Sequence, residues 1–202
     1  AKILKALEES GKADDTIVVF TSDHGEQMGD HGILGKTLMY EESVRVPLLI
    51  RAPMLGRRAR RIGGNFSHID LVPTLLALMG LEAAGGMQGR NRLPLLRGEE
   101  SLDQSDVFVE WNGADGHPPA SIGEAEPNRS MVHPLRTIIS AERWKLNLYG
   151  AGQGELYDLN ADPHELENLY HRPGQRGRIR ELAARIQDWQ ERSGDEVMLP
   201  AV

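Results

Sequence analysis

A carboxylate and an imidazole stand side by side directly after a strongly apolar segment near the start of the chain. Residues 16–21 form a short apolar run rich in β-branched side chains, typical of a strand buried on both faces, and Asp23 and His24 follow it. In open α/β sheets, ligands bind beyond the carboxyl ends of the strands. A carboxylate with an imidazole suits a divalent cation of intermediate hardness. The pair is therefore a candidate for two ligands of a metal site whose other ligands come from elsewhere.

The same two residues have a second interpretation. Acid–histidine pairs at strand ends also serve as turn formers or hydrogen-bonded caps. Gly25 favours the metal interpretation, because a glycine lets the backbone turn sharply beside a ligand. Residue types and spacing alone leave both interpretations open.

The elements that must position this pair follow an α/β pattern. Residues 1–10 predict a helix, residues 46–50 a second apolar strand, and residues 70–79 a helix that Asp70 could cap and Gly80 ends. A helix followed by a buried strand suggests an α/β core. The stretch from residue 81 to residue 101 is glycine-rich and reads as irregular.

The second half of the chain has a different pattern. Strands are predicted at residues 107–111, 136–140 and 144–149, with a possible further strand at 155–159, and the last three would form a small antiparallel sheet. A long loop is expected at residues 113–130. The apolar spacing of five later residues predicts a closing amphipathic helix. These residues are Ile179, Leu182, Ala183, Ile186 and Trp189.

Composition limits the kinds of function. With a net charge of −7 and basic residues scattered apart from one short cluster, a strongly basic face for nucleic acid is not expected. The absence of cysteine excludes disulfides, thiolate metal ligands and a cysteine nucleophile in this chain. No apolar run approaches membrane-spanning length, and the compartment stays undecided.

Several motifs together resemble the sulfatase family of the alkaline-phosphatase-like superfamily. The first block is TSDHG at residues 21–25, GDHG at 29–32, GK at 35–36 and YEESVRVPL at 40–48. SHIDLVPTLL at residues 67–76 resembles the helix that follows in sulfatases. The sequence from 154 to 169, GELYDLNADPHELENL, resembles their C-terminal signature. The motifs occur in the family's order and span most of the chain.

The resemblance implies a fold and a set of site residues. Residues 1–100 would be the later part of an alkaline-phosphatase-like sheet flanked by helices, and residues 101–202 a smaller subdomain with the antiparallel sheet and terminal helix. Asp23 and His24 would bind the active-site cation, expected to be Ca²⁺, with Mn²⁺, Mg²⁺ or Zn²⁺ as alternatives. Lys36 would contact the sulfate ester's oxygens and offset their charge, and His31 could also touch the substrate.

One part of the family pattern is missing from this sequence. Sulfatases use a formylglycine made from Cys or Ser in a Cys/Ser-x-Pro-x-Arg motif, and the nearest stretch here, residues 125–129, has Ala125 in that place. We therefore expect this chain to be the C-terminal part of a sulfuric ester hydrolase, inactive without the N-terminal half that supplies the nucleophile. Phosphonate monoester or phosphodiester hydrolysis is the alternative, and a non-catalytic binding domain is a third possibility if the chain is complete.

Other candidate residues have structural interpretations beside the functional ones. His31 has a loop-ordering role as an alternative, and His68 is expected to cap or pack. Glu42 and Arg45 are expected to form an ion pair in the site wall. The arginine cluster at residues 57–61 could attract an anionic substrate but is typical of solvated surface.

Overall fold

The computed structural model describes residues 2–56, 58–113 and 133–202. The chain forms two compact units. The first consists of Ala1–Asp23, Val46–Gly63 and His68–Ser101, and the second of His24–Arg45, Gly64–Ser67 and Leu102–Val202. The second unit thus combines the later half of the chain with two segments from the first half. The larger of these segments, His24–Arg45, is called the site loop below.

The described residues form five α-helices and six strands, joined by turns and short 3₁₀ segments. In chain order they are α1 (Lys2–Glu9), β1 (Val18–Phe20), α2 (Glu41–Val44), β2 (Leu49–Arg51), α3 (Leu71–Leu78), α4 (Leu93–Arg97), β3 (Val107–Trp111), β4 (Leu135–Ile139), β5 (Trp144–Tyr149), β6 (Gly154–Asp158) and α5 (Arg176–Ser193). None of the helices in these described ranges is long and apolar enough to cross a membrane.

In the first unit, β1 and β2 form a two-stranded antiparallel sheet with Val18 opposite Arg51. The expectation that β1 is buried on both faces is wrong for this structure, because Phe20 is 62% exposed and Leu49 is 60% exposed. A strand is buried on both faces only when other elements cover the sheet, and in the described ranges β1 pairs only with β2.

The helix predicted at residues 70–79 is present as α3, but Asp70 does not cap it. The buried Asp70 carboxylate instead accepts hydrogen bonds from the backbone N–H of Arg90 (2.8 Å) and the Nε of Arg92 (2.7 Å). It therefore stabilises the connection that leads into α4. Helix α4 lies in a stretch that the sequence predicted to be irregular, although its signals were there: a proline in the first turn and Gly98 after the last.

The second unit contains a four-stranded antiparallel sheet in the order β3–β4–β5–β6. Each strand pairs with the next along the chain, as in Trp144 opposite Asp158. The prediction of a small antiparallel sheet with a terminal helix is confirmed, and β3 joins the sheet as its first strand.

One face of this sheet packs against α5. The predicted apolar stripe of that helix is buried against alternate residues of the strands. The ring of Phe108 also stacks on Trp189, with centroids 5.5 Å apart. The cluster consists of Ile138, Leu146, Leu148, Leu156, Ile179, Leu182, Ala183 and Ile186. Burial of these side chains provides the hydrophobic core of the unit.

The opposite face of the sheet carries polar side chains and is covered by the site loop. Lys145, Asn147 and Tyr149 alternate with the apolar residues of β5 and are all buried. Apolar side chains of the loop, among them Ile33 and Leu38, pack beside them. The sheet is therefore buried on both faces, and the site loop rests on its polar face.

A buried ion pair joins β4 to the segment that follows α5. Arg136, 2% exposed, donates from Nε (2.7 Å) and Nη2 (2.6 Å) to the two carboxylate oxygens of Asp195. A further guanidinium N–H donates to the carbonyl of Trp111 at 3.0 Å. Such a bidentate pair fixes the end of α5 to β4, an inner strand of the sheet.

We predict that Asp195→Asn lowers the free energy of unfolding of the second unit by about 3 kcal/mol, because Arg136 keeps its charge in a buried place without a counterion. Urea unfolding followed by tryptophan fluorescence would measure this, since the three tryptophans of the chain (Trp111, Trp144 and Trp189) all lie in this unit. Asp188→Asn on the exposed side of α5 is the matched control.

The ion pair of Arg136 and Asp195 should also make the free energy of unfolding of the second unit depend on pH. Hydrogen bonding from Arg136 holds the pKa of Asp195 below its ordinary value of 3.8. Its stabilisation is therefore complete above pH 3.8 and is lost as the pH falls through the lowered folded-state pKa. Wild type should lose more stability than Asp195→Asn on acidification below pH 3.8, and equal losses would contradict this role for the pair.

Candidate functional site

The site loop is closed by hydrogen bonds between its two ends. The backbone N–H of Gly25 donates to the carbonyl of Ser43 at 2.7 Å, and that of Gln27 donates to the carbonyl of Gly35 at 3.0 Å. The N–H of Gly35 donates to the carboxylate of Glu26 at 2.6 Å. These bonds bring residues 24 and 36, which are twelve positions apart in the sequence, to the same part of the loop.

Two of the predicted site residues meet there. The Nζ of Lys36 contacts the Nε2 of His24. The Nδ1 of His24 lies 2.7 Å from the carbonyl oxygen of Gly25. Because a carbonyl can only accept, Nδ1 carries the proton, and Nε2 presents its lone pair. The predicted metal ligand and the predicted anion-binding lysine therefore converge on one point.

Gly25 makes the close approach of the loop ends possible. A Cβ at this position would lie 1.9 Å from the carbonyl oxygen of Glu42 and 2.9 Å from its carbonyl carbon. Only a glycine fits between His24 and the backbone of α2 without displacing one of them. A larger residue than Gly25 at this position of the TSDHG motif would clash with the backbone of Glu42.

His31 is held in place by an aromatic contact. Its ring stacks on Tyr40 with centroids 3.7 Å apart and planes 3° from parallel. Its Nε2 lies 3.8 Å from the Oε2 of Glu42. The residue adopts a left-handed backbone conformation with φ of 55°. Stacking and backbone conformation together order the middle of the loop.

The ion pair expected between Glu42 and Arg45 is not the one that forms. Arg45 lies 3.9 Å from Glu41 (Nη1 to Oε2), and Glu42 faces His31. In a helical turn, residues four apart share a face, so Arg45 reaches Glu41 more readily than Glu42.

Asp23 belongs to the first unit, where the hydroxyl of Ser22 donates to its Oδ1 at 3.3 Å. His68 also lies in this unit, with Nε2 3.1 Å from the hydroxyl of Thr21. This contact agrees with the packing role expected for His68.

The donors present fit a divalent cation in type but do not complete a site. Asp23 offers carboxylate oxygens and His24 offers the Nε2 lone pair, both ordinary ligands of such cations. Within residues 2–56, 58–113 and 133–202, no three His, Asp or Glu side chains are grouped so that they could hold a metal ion. Further ligands would have to come from outside these ranges.

The arginine cluster lies in the first unit, apart from Arg57, which is outside the described residues. Arg58, Arg60 and Arg61 line an open cavity of about 520 Å³ together with Arg97. Arg60 donates to the carbonyl of Leu96 at 3.2 Å. The cluster is a basic surface of this unit.

Comparisons with known proteins agree on one family. The family described as N-sulphoglucosamine sulphohydrolase, C-terminal, matches residues 29–192. The chain belongs to the sulfatase family. The matched region is the C-terminal part of these enzymes, within the alkaline-phosphatase-like superfamily, as the resemblance in the sequence predicted.

Curated relatives at least 30% identical to this sulfatase chain include the following two. It is 34% identical over 202 residues to the multifunctional alkaline phosphatase superfamily protein PehA of Trinickia caryophylli, covering 98% of this chain and 38% of the relative. It is 30% identical over 196 residues to the N-acetylglucosamine-6-O-sulfatase of Bacteroides thetaiotaomicron, covering 96% and 33%. The sulfatase chain thus spans between 33% and 38% of the length of these relatives.

A solved structure gives the same result for the fold. The phosphonate monoester hydrolase of Silicibacter pomeroyi matches 97% of the sulfatase chain and 38% of its own chain, with a TM-score of 0.79 and 26% identity. The alkaline-phosphatase-like fold expected from the motifs is confirmed by such neighbours.

Sequence reasoning missed a buried charged cluster beneath the site loop. Lys145 of β5 lies between the carboxylates of Glu41 and Glu165, and its side chain is fully buried. A signal was present in the sequence. The alternation of WKLNLY at residues 144–149 puts a lysine, an asparagine and a tyrosine on one face of a predicted strand.

We predict that Gly25→Ala destabilises the second unit by roughly 3 kcal/mol, because the new methyl group must displace the backbone of Glu42. Urea unfolding followed by tryptophan fluorescence would measure the change. Gly63→Ala is the control, since a Cβ there meets nothing within 4 Å. An equal, small effect of the two substitutions would contradict the steric role of Gly25.

Proposed function

We propose that the whole protein carrying this sulfatase chain hydrolyses small-molecule sulfate esters with a divalent cation, with Asp23 and His24 as two of the cation's ligands. The observation that carries the proposal is the convergence of Lys36 Nζ on His24 Nε2. It brings a positive charge suited to an anionic ester next to the nitrogen that we propose as a cation ligand. The membership of the sulfatase family supports this combination.

Each of these residues has a separate chemical task. The hydrogen bond from Nδ1 to the Gly25 carbonyl orients His24 and puts the ring lone pair on Nε2, which the Lys36 ammonium contacts here and which a bound cation would take instead. The ammonium of Lys36 offsets negative charge on the ester oxygens and on the leaving group. His31 is a further proposed substrate contact, supported by the fixed position of its stacked ring in the same loop.

The cation would be held partly by this chain, and Ca²⁺ is the expected ion. A carboxylate oxygen suits Ca²⁺ or Mg²⁺, whereas the imidazole nitrogen also allows Mn²⁺ or Zn²⁺. The chemistry that such an ion supplies when bound is polarisation of the ester and stabilisation of an activated nucleophile.

The nucleophile is proposed to come from another part of the protein, as a formylglycine. This chain has no cysteine and no Cys/Ser-x-Pro-x-Arg motif, so the chain alone should be inactive. The first unit supports a missing partner segment: its strands leave Phe20 and Leu49 largely exposed. Apolar surface of this kind suits coverage by the rest of an alkaline-phosphatase-like core.

Phosphonate monoester or phosphodiester hydrolysis is the second candidate. The likeness to a phosphonate monoester hydrolase favours it, and Lys36 with a cation would serve a tetrahedral phosphorus centre equally well. The two candidates differ in the reaction that the active site prefers, while the residues proposed for this chain stay the same.

We predict that the whole protein has a higher kcat/KM for an aryl sulfate than for the matching aryl phosphonate monoester. Steady-state kinetics on the two substrates, with the same aryl leaving group, would measure both values. The opposite order would make phosphonate hydrolysis the function. Activity on neither substrate, with metal and formylglycine verified by mass spectrometry, would contradict the proposal as a whole.

A second prediction concerns Lys36. Lys36→Ala in the whole protein should lower kcat/KM by about 100-fold or more, because a positive charge placed at the developing negative charge is lost. Lys5→Ala, a change on the exposed side of α1, should leave kcat/KM unchanged. Equal kinetics of the two variants would remove Lys36 from the proposed site.

A further inference from the structure

We infer that Lys145 and Glu165 are positioning residues, which act through Glu41 and Ser43 to hold His24 and Lys36 in the geometry needed for hydrolysis. The inference rests on the proposed function for its catalytic consequence. Its structural part concerns ion pairs and hydrogen bonds within the second unit, which lead from Lys145 and Glu165 through α2 to the site residues.

The series begins at a buried cluster, called the ion triad below and made up of Lys145, Glu41 and Glu165. The ammonium of Lys145 lies 3.0 Å from the Oε1 of Glu41 and 2.8 Å from the Oε1 of Glu165. The side chains of Lys145 and Glu165 are fully buried, and that of Glu41 is 8% exposed. Removing charged groups from water to this degree has an unfavourable desolvation free energy. The ion triad is therefore weak evidence for stability, and a role in positioning would explain it better.

The ion triad forms hydrogen bonds with the backbone of the site loop on both sides of Tyr40. Lys145 donates to the carbonyl of Met39 at 2.8 Å. The other carboxylate oxygen of Glu165 accepts the N–H of Glu41 at 2.6 Å. The backbone that enters α2 is therefore fixed by two charged side chains from the later half of the chain.

Helix α2 transmits this position to the site residues through Ser43. The hydroxyl of Ser43 donates to the carbonyl of Lys36 at 2.7 Å. The backbone carbonyl of Ser43 accepts a hydrogen bond of 2.7 Å from the N–H of Gly25, the residue after His24. One residue of α2 thus bonds to the backbone of Lys36 and to that of Gly25, the residue that follows His24.

The backbone of Glu165 supports a specific role for its side chain. Glu165 has a left-handed conformation with φ of 53°, which is unfavourable for a residue with a Cβ. Burial raises the pKa of its carboxyl to about 7, and the ion pair with Lys145 opposes this shift. Both features are tolerated because the carboxylate has two partners in place, the ammonium of Lys145 and the N–H of Glu41.

The ion triad also links two motifs that lie far apart in the sequence. Glu41 belongs to the segment at residues 40–48 and Glu165 to the C-terminal signature, 124 positions later. Glu165, one of several charged residues in the C-terminal signature, thereby has a task in positioning the site.

The test uses the whole protein and separates positioning from folding. Lys145→Met removes the centre of the ion triad, and Ser43→Ala removes only the hydroxyl bond to Lys36. Each should lower kcat, about tenfold for Lys145→Met and several-fold for Ser43→Ala, with KM changed less than twofold. Ser10→Ala, which deletes a hydroxyl bond of 2.7 Å to a carbonyl outside the site, is the matched control and should change neither constant.

The decisive comparison is made in the Lys36→Ala background. If Ser43 acts through Lys36, Ser43→Ala should not lower kcat further once Lys36 is gone. A full, additive loss from Ser43→Ala in that background would overturn the inference. A kcat of Ser43→Ala equal to that of wild type would also overturn the inference. Because this variant removes only one hydroxyl group, it serves as the test if Lys145→Met does not fold.

A second readout does not depend on catalysis. Hydrogen exchange measured by mass spectrometry should show faster exchange in the site loop of Lys145→Met and unchanged exchange in α5. Unchanged exchange in the site loop would overturn the structural part of the inference. A wild-type protein inactive on both esters would contradict the proposed function, and the exchange result would then still decide whether the ion triad holds the loop.

Discussion

The polar face of the four-stranded sheet can be buried only if every charged group on it has a partner. β5 places Lys145 on that face, and the ammonium is satisfied by two carboxylates and a carbonyl. Asn147 and Tyr149 on the same face both donate to Glu155. A buried polar group without such partners would destabilise the fold by more than the surrounding packing stabilises it. The site loop supplies part of these partners, so its position is a condition for burying the sheet.

The site loop in turn depends on the sheet for its own conformation. A loop of 22 residues, His24–Arg45, has only one four-residue helix and a few turns of its own. Left alone, it would lose much conformational entropy on adopting one shape. Closure by Gly25 against α2, the stacking of His31 on Tyr40 and the contacts with the sheet together offset that loss. The rigid scaffold thus places a lysine and a histidine at one point, as functional loops on rigid scaffolds commonly do.

Local patterns in the sequence predicted much of the second unit. Alternation and β-branched residues located β4, β5 and β6 within one or two residues, and apolar spacing located α5. The motif segments identified the family. Features that depend on distant parts of the chain were not predicted: the exposure of β1, the partners of Asp70 and Arg45, and the ion triad. Each depends on which elements become neighbours in the fold, and spacing within a segment does not contain that information. Helix α4 was missed for a different reason, since its five residues are too few for an apolar period to show.

The central proposal is that Asp23 and His24 bind a cation in the whole protein and that Lys36 binds the anionic ester. The most direct measurement is a crystal structure of the whole protein with its metal and a bound sulfate, using anomalous scattering to locate the cation. We expect the anomalous peak about 2.0–2.6 Å from a carboxylate oxygen of Asp23 and the Nε2 of His24, with the Nζ of Lys36 in hydrogen-bond contact with the sulfate. A cation whose ligands include neither Asp23 nor His24 would contradict the account.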